Sequence, residues 1–177
     1  MKNCHMKTTL FAAMSLDGFI ADKDGSEDFL ADVHWWEFVK LAEKIGCLIV
    51  SRKAYDIVNQ WESQYNFDTI KAIKIIVSKN AELELKQGFS LATSPEKAIE
   101  ISNQNNCSEV LVAGGGSLNG AFLENNFVDE LILTVEPCIL GQGTYFVGDV
   151  KLGKKLKLKD VTKVEDGIVK LNYEIVK

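Results

Sequence analysis

The sequence predicts an α/β fold with a mainly parallel central sheet, flanking helices and a C-terminal antiparallel hairpin. Three observations predict it. Short apolar runs, such as Cys47-Leu48-Ile49-Val50, read as strands buried on both faces. Segments with helical spacing alternate with them through most of the chain, which implies right-handed crossovers between parallel strands. The last two runs meet at Glu165-Asp166-Gly167, a hairpin signal that adds an antiparallel edge.

In chain order, residues 7–14 form a first strand that breaks at Ser15-Leu16-Asp17-Gly18, a turn signal. The polar, acidic stretch 20–32 reads as a long loop. A helix follows over 33–45, with Val33, Trp36 and Val39 turned inward and Gly46 as its terminator. Strands are expected at 47–50, 73–78 and 109–113, and helices over about 52–60 and 117–125. Ser94-Pro95-Glu96 opens another helix, to about Gln104, with a serine cap and proline in its first turn. Residues 130–136 form the next strand, and a glycine-rich loop runs from Pro137 to Gly148. The hairpin occupies 156–176.

With 177 residues, 46% apolar and 25% charged, the chain suits one globular domain with a full core. A net charge of -5 argues against a nucleic-acid surface, which calls for a basic footprint. The four cysteines, Cys4, Cys47, Cys107 and Cys138, form no Cys-x-x-Cys motif, and Cys47 and Cys138 read as small buried hydrophobes. With two histidines, His5 and His34, no zinc site is expected, and His34 reads as a surface helix residue. No signal-peptide core precedes the first aspartate, and no run approaches the roughly 18 apolar residues of a membrane span. A soluble, cytoplasmic protein with free thiols and no membrane contact is expected.

Chemistry concentrates where strands end. Ala113-Gly114-Gly115-Gly116-Ser117-Leu118 is a strand, three glycines and a helix start. Glycines permit positive φ and close backbone approach, and a helix N-terminus suits a pyrophosphate. The run is neither a complete G-x-G-x-x-G, since Asn119 takes the last position, nor a P-loop. Ser51, Arg52 and Lys53 place a hydroxyl and two cations at another strand end, where an anion would offset them. Ser78 and Lys79 offer a hydroxyl and an ammonium at a third. Ligands of open α/β sheets bind at such ends, which points to a dinucleotide.

The segments Ala12-Ala13-Met14-Ser15-Leu16-Asp17-Gly18-Phe19-Ile20-Ala21, Ser51-Arg52-Lys53-Ala54-Tyr55, Gly114-Gly115-Gly116-Ser117-Leu118, Asp129-Glu130-Leu131 and Leu140-Gly141-Gln142-Gly143-Thr144 occur in order. Together they resemble the dihydrofolate reductase superfamily, in the bacterial branch similar to the reductase domain of the bifunctional riboflavin-biosynthesis enzyme. The resemblance covers nearly the whole chain and implies a dihydrofolate-reductase-like fold with NADPH as cofactor. It implies that Gly114, Gly115, Gly116, Ser117 and Leu118 hold the pyrophosphate. It further places Ser51, Arg52, Lys53, Ser78 and Lys79 along the adenosine phosphate side, and Ala13 and Ile20 near the nicotinamide. Asp17-Gly18 would begin the active-site loop. The chain departs from the pattern at Ser51-Arg52-Lys53-Ala54, where relatives carry Gly-Arg-x-Thr. It also lacks the deaminase zinc signature and the Ser-x-Trp-Ile and Asp-Asp-Pro stretches of the riboflavin enzymes.

Hydride transfer to a C=N or C=O bond requires a proton, which a carboxyl in an apolar pocket supplies well. Asp17, Asp28, Asp32 and Glu37 are the candidates, with Asp32 and Asp17 foremost. Ala31-Asp32-Val33-His34-Trp35-Trp36 resembles the stretch that bears the acid in dihydrofolate reductases, although Asp32 also suits a helix cap. Trp35 and Trp36 read as core or interface before substrate platform. Two functions therefore compete: an NADPH-dependent reductase of a pterin, folate or pyrimidine-type heterocycle, and a catalytically silent binder of NADPH or another nucleotide on the same fold. A homodimer is compatible with the apolar strand at 131–135 and with the terminal hairpin.

Overall fold

A computed structural model describes residues 6–61 and 64–177 of the chain. Cys4 and His5 lie outside the described residues. The sheet has eight strands: β1 (Lys7–Ser15), β3 (Cys47–Ser51), β4 (Ile73–Val77), β5 (Phe89–Ala92), β6 (Glu109–Ala113), β7 (Glu130–Glu136), β9 (Lys155–Lys163) and β10 (Val169–Val176). Their order is β5-β4-β3-β6-β1-β7-β10-β9. The first six run parallel, and β10 and β9 are antiparallel, as the terminal hairpin predicts. Its turn sets Asp166 and Gly167 at φ 54° and 86°, the left-handed geometry an Asp-Gly pair tolerates.

The apolar runs are continuous because alternate residues enter different cores. Leu48, Val50, Leu111 and Ile76 join one cluster with Phe38 and Ala42 of α1 (Asp32–Ile45) and Tyr55 and Val58 of α2 (Arg52–Val58). Cys47, Ile49, Val110, Val112 and Ile75 join the other, with Ala98 of α3 (Pro95–Gln104) and Leu118 and Phe122 of α4 (Gly116–Glu124). Ser94 caps α3 by accepting from the Lys97 N–H, with Pro95 in the first turn. Gly46 ends α1 at φ 81°.

Several expectations need correction. The stretch 20–32 is not all loop: β2 (Phe19–Ala21) pairs with β8 (Thr144–Tyr145) in a separate two-stranded sheet. β5 and a 3-10 turn at Phe67–Thr69 were not signalled, because neither carries a period long enough to read. The inner stripe of α1 is His34, Phe38 and Ala42, while Trp36 is 45% exposed. His34 is therefore a buried residue, not a surface one. Its Nε2 lies 2.7 Å from Glu136 Oε1, at the end of β7, and the Ala31 N–H donates to the same oxygen at 2.7 Å. That buried partner satisfies the imidazole and fixes the rotation of α1. Ala31, not Asp32, stands at the helix cap, without a side-chain hydrogen bond. Cys138 is half-buried rather than buried. β7 lies between β1 and β10, so both its backbone edges are paired. No helix among the described residues is long and apolar enough to cross a membrane.

Candidate active site

The carboxyl ends of β1, β3 and β6 open into a cleft of about 830 Å³. β1 contributes Phe11, Ala12 and Ala13, β3 contributes Ser51, and β6 leads into Gly114 and Gly115. Ile20 and Thr144, from the small sheet, close one rim. The segment Gly25 to Asp32 and the first turns of α1 and α2 close the others, with Glu27, Asp28, Asp32, His34, Lys53 and Ala54 among the lining.

The cleft thus brings together Ala13, Ile20, Ser51, Lys53, Gly114, Gly115 and Asp32. It does not gather the other residues singled out from the sequence. The Arg52 Nε donates to Asp56 one helical turn on, at 2.6 Å, and the side chain is outside the lining. Ser78 is buried and its Oγ accepts from the Asn80 N–H, and Lys79 is exposed just past the carboxyl end of β4, outside the lining. Glu37 pairs with Lys170 at 2.9 Å. Asp17 is also outside the lining: its carboxylate accepts from Ser15 Oγ and from the Leu140 and Gly141 N–H groups. The Ser15 hydroxyl, more than any other contact, holds the Asp17 carboxyl below its usual range.

The three glycines have three different causes, and none adopts a positive φ. A Cβ on Gly114 would meet the Leu118 side chain at 2.6 Å, which is why Leu118 packs beneath the turn instead of facing a ligand. On Gly116 it would meet the Tyr145 carbonyl oxygen at 2.3 Å, and the Gly116 carbonyl accepts from the Gly148 N–H. Both are packing requirements of the fold. At Gly115 the nearest atom is Ser51 Oγ at 4.0 Å, so only this glycine faces open space. Its N–H points to Ser51 Oγ at 3.4 Å, and the Gly116 and Ser117 N–H groups that follow head α4 without an intrahelical acceptor. Backbone donors, a hydroxyl and Lys53 make an anion-compatible corner.

The same cleft is lined by an aromatic wall. Trp35 is its centre, with ring centroids 5.6 Å from Phe38, 6.0 Å from Trp61, and 5.9 Å from both Tyr65 and Phe67. Its indole Nε1 is shielded from water with no acceptor among the described residues. Trp36 lies outside the cleft lining.

Sequence reasoning missed Glu27. Its half-buried side chain lines the cleft, and burial pushes its carboxyl up to about 7, against the opposing pull of the Lys53 ammonium. Nothing in the acidic run Ser26-Glu27-Asp28 singles it out, since the cause is the wall it folds against. Trp61, Tyr65 and Phe67 were missed for the same reason: they arrive from an irregular segment. Among the described residues no cluster of His, Cys, Asp or Glu is arranged to hold a metal ion.

Residues 6–170 match the family described as the RibD C-terminal domain. The chain is 28% identical over 178 residues to the uncharacterized protein YwjB of Bacillus subtilis (strain 168), covering 94% of this chain and 97% of that one. Among solved structures it is similar to a riboflavin biosynthesis protein, so described provisionally, from Shewanella sp. PV-4, with a TM-score of 0.79 at 24% identity over 97% of this chain and all of the other. The Saccharomyces cerevisiae riboflavin biosynthesis reductase Rib7 gives a TM-score of 0.68 at 18% identity, covering 99% and 92% of the two chains. These structural likenesses establish the shared dihydrofolate-reductase-like fold.

Proposed function

The chain belongs to the RibD C-terminal domain family, and from that premise we propose that it is an NADPH-dependent reductase of a planar heterocycle. The observation that carries the reading is the shared lining of one cleft, which joins Gly114, Gly115, Ser51 and Lys53 with the aromatic rings around Trp35. The open space at Gly115 fits the cofactor, because backbone and ligand can approach there without displacing a side chain. Gly114, Gly115, Ser51 and Lys53 would hold its phosphates, and Ala13 and Ile20 would flank its nicotinamide. NADPH, when bound, supplies the hydride.

The protein's own part is to bind, orient and protonate. The aromatic wall excludes water from the ring being reduced and strengthens every charge interaction beside it. Two acids in the cleft lining can deliver the proton: Asp32, from the first turn of α1, and Glu27, which keeps its proton up to about pH 7. Asp32→Asn and Glu27→Gln assign the role, since the variant of the true donor loses its dependence on that proton in kcat.

Ligand-linked stabilisation tests the reading. NADPH at about a hundred times its Kd should stabilise the fold by about 2.7 kcal/mol in thermal unfolding. Lys53→Ala should weaken NADPH more than NADH. An unmoved transition at millimolar NADPH would overturn the assignment and leave, of the silent-binder alternative, only the form that binds another nucleotide. Stoichiometric binding without oxidation at 340 nm, across a panel of ring substrates, would favour that alternative.

We also propose a homodimer through the terminal hairpin. β9 exposes Leu156, Leu158 and Val161, each by more than 40%, on the sheet's outer edge. Leu158→Lys should halve the mass measured by light scattering, and a monomeric wild type would refute the contact.

A further inference from the structure

The lining of the cleft is unbalanced in charge. Among the described lining residues Lys53 is the one lysine or arginine; its ammonium lies beside Gly25, and Glu27 faces it. Asp28 and Asp32 also line the cleft, Asp32 in the same helical turn as Trp35. His34 also lines it, but its Nε2 is engaged by the buried Glu136 carboxylate. Arg52, the single arginine of the sequence, is bound to Asp56 outside the lining. A phosphate monoester brought beside Trp35 would therefore meet the Asp32 and Asp28 carboxylates, while the one lining ammonium is already faced by Glu27, and like charges at close quarters repel.

The aromatic rings ask for the opposite kind of ligand. Trp35, Trp61 and Tyr65 line the cleft and suit a flat ring, and the carboxylates beside them accept from ring N–H or amino groups. We infer that the substrate side of this cleft takes an unphosphorylated planar heterocycle, neutral or basic, and discriminates against the same ring carrying a sugar phosphate. This rests on the reading of the glycine side as the cofactor's half, and it separates this chain's substrate from any phosphoribosyl pyrimidine.

The test uses matched probes that differ by one phosphate: uridine against uridine 5′-monophosphate, and riboflavin against riboflavin 5′-phosphate. Tryptophan quenching is read with the full-length protein at low salt, without NADPH. The unphosphorylated member of at least one pair should bind about tenfold or more tightly than its phosphate. The gap should narrow with added salt and in an Asp28→Asn, Asp32→Asn double variant, with folding checked by circular dichroism. Equal or tighter binding of the phosphorylated member overturns the inference, as does the absence of saturable quenching by all four probes. Failure of the cofactor reading shows separately, as an unmoved thermal transition with NADPH alone.

Discussion

Asp17 and Glu27 lie ten residues apart on the same connection between β1 and α1, yet their carboxyls are opposites. Asp17 accepts from one hydroxyl and two backbone N–H groups, which favour its charged form and hold its turn against the 140–141 loop. Glu27 is turned against the cleft wall, where burial favours its neutral form. Asp17 belongs to one of the sequence segments on which the resemblance rests, and Glu27 belongs to none. A recurring motif can thus report what a turn needs to close, while reactivity is set by a neighbouring residue with fewer bonds.

The comparison is sharpened first by the third carboxylate of this region, Glu136, which is buried and fully committed. Glu136→Ala strips the Ala31 N–H and the His34 ring of their shared acceptor. It should cost about 3 kcal/mol in urea unfolding. A loss near zero would mean that the pair does not anchor α1.

Next comes Glu27→Gln. The unfolded carboxyl ionises near 4.5 and the folded one near 7, so the native state holds an extra proton between those values. Wild-type stability therefore falls as pH rises through that window and stays lower above it. The glutamine variant should match wild type near pH 4 and exceed it at pH 8, by up to about 3 kcal/mol before solvent screening reduces the gap. Parallel pH profiles for the two proteins would break the contrast with Asp17.

The smallest effect is expected from Asp17→Asn. The lowered pKa means that its contribution is present above the unfolded value of 3.8 and disappears as pH falls through the folded value. The variant should melt modestly below wild type at neutral pH and converge with it in acid. A variant gap that persists in acid would show that the turn depends on the side chain's shape and not its charge.

Most of the fold was legible because β3, β4 and β6 are buried on both faces, which leaves apolar runs too dense for a loop. The rotation of α1 was not legible: His34 reads as polar until Glu136, 102 residues away, is placed beside it. The glycine turn was legible as a position but not as a cause, since Gly114 and Gly116 answer to Leu118 and Tyr145. On the substrate side, Asp32 and Trp35 were readable from α1. Trp61, Tyr65 and Phe67 come from a stretch with no period, and only the packing around Trp35 gathers them.

The separate causes of the three glycines also mark where this scaffold can be re-engineered. Gly114 and Gly116 are closed to any larger residue, because an added methyl collides with a side chain or a carbonyl. Gly115 has a φ of -70°, which any residue adopts, and free space beyond its Cα. It is a graft point: the fold accommodates a side chain there with the backbone in place, and one that fills the space should weaken any ligand that approaches the turn.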